Sequence, residues 1–289
     1  MHSPRTGAAT AKRGMRLTPK IVLNSLGLAV FVLIILVPFW WIASMSFKTY
    51  EQIQFATSIY VPNPFTLENY TALWNATGFP TWFRNSLVTG LVVTAITIVI
   101  SALSAYAVAR LRFPGRAAMA SIVLILYLVP PALMFIPLYR VLGALGATNS
   151  VAALMLAYPT FTVPFCTWLL IGFFKSVPLE LEEAALVDGA NRWQAFTRII
   201  LPLVVPGLAA SAIFAFTLSW NEFLYALVMT QDESAMTVPV GLNLLIYGDV
   251  FDWGQLMSAS VITTLPVVIL YMFVVRWMVE GLTAGSVKG

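Results

Sequence analysis

The sequence predicts an all-α integral membrane protein: six transmembrane helices with a cytoplasmic helix-turn-helix loop between the fourth and fifth. Three observations carry this. Of 289 residues, 60% are hydrophobic and only 10% are charged, against ~25% charged in an average soluble domain, and mean hydropathy is +0.86. Next, no Asp, Glu, Lys or Arg occurs at residues 21–47, 85–109, 117–139, 141–174, 199–221 or 253–275, and each gap holds the roughly 20 residues a bilayer-spanning helix needs. Finally, with the N-terminus placed inside, the inner segments carry Arg5, Lys12, Arg13, Arg16, Lys20, Arg110, Arg112, Arg116, Lys175, Arg192, Arg198, Arg276 and Lys288, while the outer ones carry Lys48, Arg84 and Arg140. Thirteen cations against three is a positive-inside bias that puts both termini on the cytoplasmic side of the membrane.

Residues 1–20 form a basic tail. The apolar stretch that follows exceeds the roughly 7–15 residues of a signal-peptide core, so it is expected to be an uncleaved first span. That span ends near Met45, with Pro38, Trp40 and Trp41 toward its outer end, where an aromatic belt belongs. Residues 46–84 are then extracytoplasmic. Pro62, Pro64 and Pro80 break helices there, while Tyr60, Phe65, Tyr70, Trp74, Phe79 and Trp82 recur, which suits chain lying along the membrane surface. Span two covers residues 85–109, and Pro114-Gly115 turns the chain back on the cytoplasmic side. Spans three and four cover residues 117–139 and 151–174, interrupted by Pro130, Pro131, Pro137, Pro159 and Pro164. Such breaks mark a water-lined path or simply reflect the tolerance of membrane helices for proline. A cytoplasmic loop at residues 175–204 leads to span five (205–229), an outer loop (230–252) and span six (253–276). The six-helix transmembrane domain thus occupies residues 21–280, followed by a cytoplasmic tail at 281–289.

Composition also narrows the chemistry. Cys166 is the single cysteine and His2 the single histidine, so thiolate clusters, histidine metal sites and Ser-His-Asp triads have no material to form. No catalytic residue, metal site or cofactor bound by this chain is expected. The net charge of +4 is explained by membrane sidedness, so lipid and not nucleic acid is the expected surface partner. No glycine-rich phosphate loop is present either. Any energy source lies in another polypeptide or in an ion gradient.

The loop at 175–204 holds the densest signals. Ser176 is a candidate cap, Pro178 suits a first helical turn, and Glu180, Glu182 and Glu183 sit where a helix dipole favours anions. Gly189 can take the left-handed conformation that ends this helix. Asn191 with Gln194 resembles a capping box for a second one, on which Trp193, Phe196 and Ile200 share a face. Physics leaves two readings: an ordinary interfacial loop, or a helix-turn-helix platform that fits a groove of a partner.

Glu183-Ala184-Ala185, then three residues, Gly189, nine residues and Ile199-Ile200-Leu201-Pro202 match the EAA loop of ABC importer permeases. The chain resembles, nearly end to end, the second permease of maltose-type carbohydrate importers, through Phe65-Thr-Leu-Glu-Asn-Tyr70, Ala109-Arg-Leu-Arg-Phe-Pro-Gly115, Trp220-Asn-Glu-Phe223 and Gly281-Leu-Thr-Ala-Gly-Ser-Val-Lys-Gly289. The resemblance implies a permease subunit that pairs with a homologous sister permease, two cytoplasmic ATP-binding subunits that hold ATP and Mg, and an extracytoplasmic solute-binding protein. It implies that Glu182, Glu183, Ala184, Ala185, Asp188, Gly189 and Ala190 couple to the ATPase, that the tail with Gly281, Leu282, Thr283, Ala284 and Gly285 reaches the ATPase interface, and that the loop at 230–252 probes the binding protein.

Glu222 is the one carboxylate within a predicted span, and intramembrane acids are functional candidates. Counted up the helix it falls near the outer interface, where it either snorkels, pairs with Arg84 or Arg140, or lines the solute path with Asn221 and Tyr225. The rival function is an ion-gradient-driven secondary transporter, for which Glu222 would be the only relay group.

Overall fold

The structure is a computed structural model and describes residues 19–247 and 250–286. His2 and the cations Arg5, Lys12, Arg13, Arg16 and Lys288 lie outside the described residues. In chain order the helices are α1 (Pro19–Ser46), α2 (Tyr50–Gln54), α3 (Glu68–Ala76), α4 (Phe79–Arg110), α5 (Arg116–Leu128), α6 (Pro131–Ala144), α7 (Val151–Ala157), α8 (Pro159–Ser176), α9 (Leu179–Val187), α10 (Arg192–Gln194), α11 (Leu201–Leu203), α12 (Val205–Trp220), α13 (Leu224–Met229), α14 (Val238–Gly241) and α15 (Trp253–Ser286). A two-residue hairpin pairs β1 (Ile246–Tyr247) with β2 (Val250–Phe251) in antiparallel register, Ile246 opposite Phe251. It is the one departure from an all-α fold among the described residues.

Leu23–Ser46, Phe79–Arg110, Val151–Ser176 and Trp253–Trp277 are each long and apolar enough to cross a membrane. Two bent pairs raise the count to six if each is one span: Arg116–Leu128 with Pro131–Ala144, bent by 98°, and Arg192–Leu203 with Val205–Trp220, bent by 76°. The first bend falls in span three, where the prolines predict an interruption; span four counts as one stretch, Val151–Ser176, despite Pro159 and Pro164, and the second bend lies at Val204, just ahead of span five as the sequence delimits it. At Pro130-Pro131 each proline lacks an N–H, and Pro131 drives its predecessor out of the helical region, so Pro130 sits at ψ 124°. Ahead of α12, residues Ala195–Ile200 form a π-helix, with Leu201 N–H reaching Phe196 O. The wider turn keeps the Pro202 ring off the carbonyl it would strike in a regular helix.

The bundle core is α4, α8 and α12 packed on one another, with α5 against α8 and α15 against α12. Small and hydroxylated residues line these contacts, as membrane helices require where no hydrophobic drive brings them together. Thr97 and Thr162 hydroxyls meet at 2.7 Å, Ser101 donates to Val163 O at 3.2 Å, and buried Cys166 donates weakly to Ser211 O at 3.5 Å. Three buried clusters stack along the axis: one around Tyr106, Phe174 and Phe196, one around Tyr158, Tyr225 and Met229, and one around Phe79, Trp82 and Leu245. By contrast α1 packs along α15 alone of the major elements, leaving Leu23, Leu33 and Ile34 more than 60% exposed, a face for lipid or another membrane helix.

At the Phe79 end, polar ties hold the loops. Asn69 donates to Ser46 O (3.0 Å) and Lys48 O (2.7 Å), Asn85 to Ser234 O and Met236 O (both 2.9 Å), and the Ser46 and Tyr70 hydroxyls meet at 2.8 Å. Lys48 is 2% exposed, donates to Ile59 O at 3.0 Å and lies over the Trp41 ring. Burial holds its ammonium below the usual lysine range. The predicted loop at 46–84 is thus partly helical, since α4 begins at Phe79 behind Gly78.

Candidate functional site

At the opposite end, α9 starts after Pro178, and Ser176 does not cap it: Ser176 ends α8, its hydroxyl donating to Phe173 O at 2.8 Å. The helix ends at Asp188 with Gly189 at φ +92°. Ala190 N–H reaches back to Ala185 O (3.0 Å) and Gly189 N–H to Leu186 O (3.2 Å), the paired bonds of a Schellman cap that only a left-handed residue completes cheaply. Asn191 then opens α10 with a reciprocal box: Gln194 N–H donates to Asn191 Oδ1 and Asn191 N–H to Gln194 Oε1, both at 2.9 Å. Phe196 and Ile200 are buried. The Trp193 ring lies tilted against that of Phe196, centroids 5.5 Å apart, yet stays 62% exposed, so its face is only partly shared with them.

The coupling candidates divide by exposure. Glu183, Ala184, Asp188 and Gly189 are exposed, Ala190 is half-buried, and Ala185 and Glu182 are buried. Glu182 faces inward, accepting from the Tyr106 hydroxyl at 2.6 Å. Around the exposed residues, Val187 is 87%, Leu179 53% and Leu181 43% exposed. Beside α9 lies a groove of about 710 Å³ lined by Arg110, Arg112, Arg116, Glu182, Glu183 and Arg192, among others. Two of these arginines serve the fold: Arg110 donates to Phe174 O at 2.6 Å and to Val177 O, and Arg116 caps α4 through Val108 O (2.7 Å) and Ala109 O (3.0 Å).

The three candidates for the solute path separate. Tyr225 is buried, donates to Pro131 O at 2.9 Å, and lines a cavity of about 270 Å³ with Tyr127, Thr160, Phe161, Phe165 and Phe214. Asn221 and Glu222 do not line it. Span five breaks at 221–223, and Glu222 accepts from Tyr225 N–H (3.0 Å) and Ala226 N–H (3.1 Å). Its carboxylate caps α13 in place of pairing with Arg84 or Arg140. Asn221 is exposed and donates to Thr217 O at 2.9 Å. Of the tail, Gly281, Leu282, Thr283, Ala284 and Gly285 continue α15, and residues 287–289 lie outside the described residues.

A bundle of membrane-crossing helices, with an aromatic cavity beside the bend at Pro130-Pro131 and an exposed helix-turn-helix platform at one end, has the features of a transport permease. The chain belongs to the family of binding-protein-dependent transport system inner membrane components, which matches residues 97–283. It is 39% identical over 274 residues to the trehalose/maltose transport system permease protein MalG of Thermococcus litoralis, covering 93% of this chain and 98% of that protein. It is 38% identical over 265 residues to the inner membrane ABC transporter permease protein YcjP of Escherichia coli, covering 91% and 95%. In fold it matches a crystal structure of a bacterial ABC transporter that imports the acidic polysaccharide alginate, with TM-score 0.77 at 21% identity, covering 88% of this chain and 95% of that one. The chain is thus a multi-pass inner-membrane permease subunit of an ABC importer, with ATP hydrolysis left to a separate partner. Nothing in these findings supports the ion-gradient alternative.

Proposed function

We propose that this chain forms, with a homologous sister permease, the translocation path for a sugar or sugar-like solute delivered by an external binding protein, and that α9 and α10 dock on one of two cytoplasmic ATP-binding subunits. The observation that carries the docking reading is the platform itself: a doubly capped helix pair whose Leu179, Leu181, Val187 and Trp193 are exposed at the end of the bundle where basic residues concentrate. Relatives named for trehalose/maltose and for diacetylchitobiose transport support a sugar as solute, and an aromatic-lined cavity with the Thr160 and Tyr225 side chains suits the apolar faces and hydroxyls of such a molecule. In this reading both termini, the α4–α5 turn and the tail at 281–289 are cytoplasmic, the tail reaches the ATPase interface, and residues 46–78 and 230–252 face the binding protein.

The sidedness is testable in a Cys166→Ser background. An impermeant thiol reagent should modify cysteines placed at the exposed positions Thr57 and Ser234 in spheroplasts and spare those at Pro114 and Asp188 until the membrane is opened. Modification of Pro114→Cys and Asp188→Cys in sealed spheroplasts would place the platform outside and end the docking reading.

A further inference from the structure

The connection between α9 and the bundle is mechanically weak along the chain. Val177 and Pro178 are extended, with ψ 130° and 139°, so α8 does not continue into α9 and a displacement of α9 is not passed on as rigid helix. A second connection bypasses this hinge. Tyr106 on α4 donates to Glu182 on α9 at 2.6 Å, across 76 residues of sequence. Four residues later on the same face of α4, Arg110 donates to Phe174 O and Val177 O at the end of α8. The last two turns of α4 therefore hold both sides of the hinge, α9 through Tyr106 and α8 through Arg110.

The Tyr106 ring has little freedom. It lies 4.6 Å from the Phe196 ring and 5.9 Å from the Phe174 ring, and both Tyr106 and Glu182 are under 10% exposed. A hydroxyl-to-carboxyl hydrogen bond of 2.6 Å lies at the short end of the normal range. The second carboxylate oxygen, Oε2, is buried without a partner, so the phenol is the one hydrogen-bond donor that reaches the Glu182 side chain among the described residues. From there α4, a helix of 32 residues, follows α8 and α12 back to Trp82 in the buried cluster at the far end.

We infer that Tyr106 is a positioning residue that carries displacement of α9 into α4, and that Glu182 is its acceptor rather than a contact to the ATPase. This inference rests on the docking reading above. Removing the phenol leaves a buried carboxylate with no donor and lets α9 move without α4. Replacing the carboxylate by an amide keeps an acceptor oxygen at the same place.

The test compares Tyr106→Phe and Glu182→Gln in the complete complex with its sister permease and ATPase subunits, reconstituted in proteoliposomes with binding protein and solute. The readout is solute taken up per ATP hydrolysed, alongside the amount of ATPase subunit that co-purifies. Tyr106→Phe is expected to keep a wild-type complement of ATPase and to lower uptake per ATP by roughly tenfold, the upper end of what one lost side-chain hydrogen bond costs. Glu182→Gln is expected to stay within about twofold of wild type, because its amide oxygen still accepts. Unchanged uptake per ATP in Tyr106→Phe overturns the inference, and so does an equal fall in Glu182→Gln. Loss of ATPase subunits from Tyr106→Phe alone also overturns it, since the pair then only holds the platform together. If the wild-type chain itself co-purifies with no ATPase, the docking reading fails first.

Discussion

Gly189→Val should abolish most solute-stimulated ATP hydrolysis and uptake while leaving insertion and assembly of the bundle intact. Gly189 sits at φ +92°, where a side chain costs about 1–2 kcal/mol and a branched one more. The space around it is open, with no atom within 4 Å of an added Cβ, so the whole penalty is backbone strain and none is collision. Relief comes from unwinding the Schellman cap, which frees the carbonyls of Ala185 and Leu186 that now accept from Ala190 and Gly189. The exposed Val187 and Asp188 then leave their places at the end of α9. A strain of about 2 kcal/mol corresponds to roughly a thirtyfold shift in the population of the docked geometry. A graded series checks the cause: Gly189→Asn should be mild, because Asn tolerates this region, Gly189→Ala intermediate, and Gly189→Val most severe. Stimulated hydrolysis in proteoliposomes reads the order, and a series ranked by side-chain volume at unchanged coupling would refute the strain argument.

Gly241→Val should cause the largest loss of stability. An added Cβ at Gly241 would stand 2.1 Å from Trp82 Cδ2, and one at Gly78 would stand 2.7 Å from Trp82 Cε2. The indole is thus held against two backbones and is 1% exposed, so it has nowhere to move. Overpacking of this kind costs typically about 1–3 kcal/mol and at a site without slack more. The consequence is separation of α14 from α4, which would carry away the 230–252 segment that Asn85 and Ser86 now fix through Met236 O at 2.9 Å and Val238 N–H at 2.8 Å. The melting temperature of the detergent-purified complex should fall sharply. Because the clash is with one side chain, Trp82→Leu in the Gly241→Val background should recover part of the loss although Trp82→Leu alone is destabilising. Strict additivity of the two changes would contradict this packing.

What could be read from the sequence was local. The left-handed Gly189 and the Asn191–Gln194 box are decided by residues close in sequence, and Pro130-Pro131 marks the bend in span three by chemistry alone, whereas the bend at Val204 ahead of span five is not among the interruptions the sequence predicts. The break at 221–223 has neither Pro nor Gly to mark it, so Glu222 looked like a charge inside a span and proved to be the cap of the helix that follows. Ser176 differs from the cap pattern for the complementary reason: α8 runs two residues beyond the expected end of span four, through Ser176 itself, and Pro178 sets the start of α9. The pairings that organise the platform, Tyr106 with Glu182 and Arg110 with the end of α8, join residues 76 and 64 apart in sequence. No spacing rule reaches that far. The cluster Glu180, Glu182 and Glu183 reads as uniform helix-end charge, yet the turn of α9 points one of the three inward.

The most direct test of the account is a photo-crosslinking amino acid at Val187, the most exposed large apolar side chain on α9, in cells that express the complete importer. The account predicts an adduct with a cytoplasmic ATP-binding subunit that disappears when that subunit is deleted. Adducts with lipid only, or with the external binding protein, would contradict it.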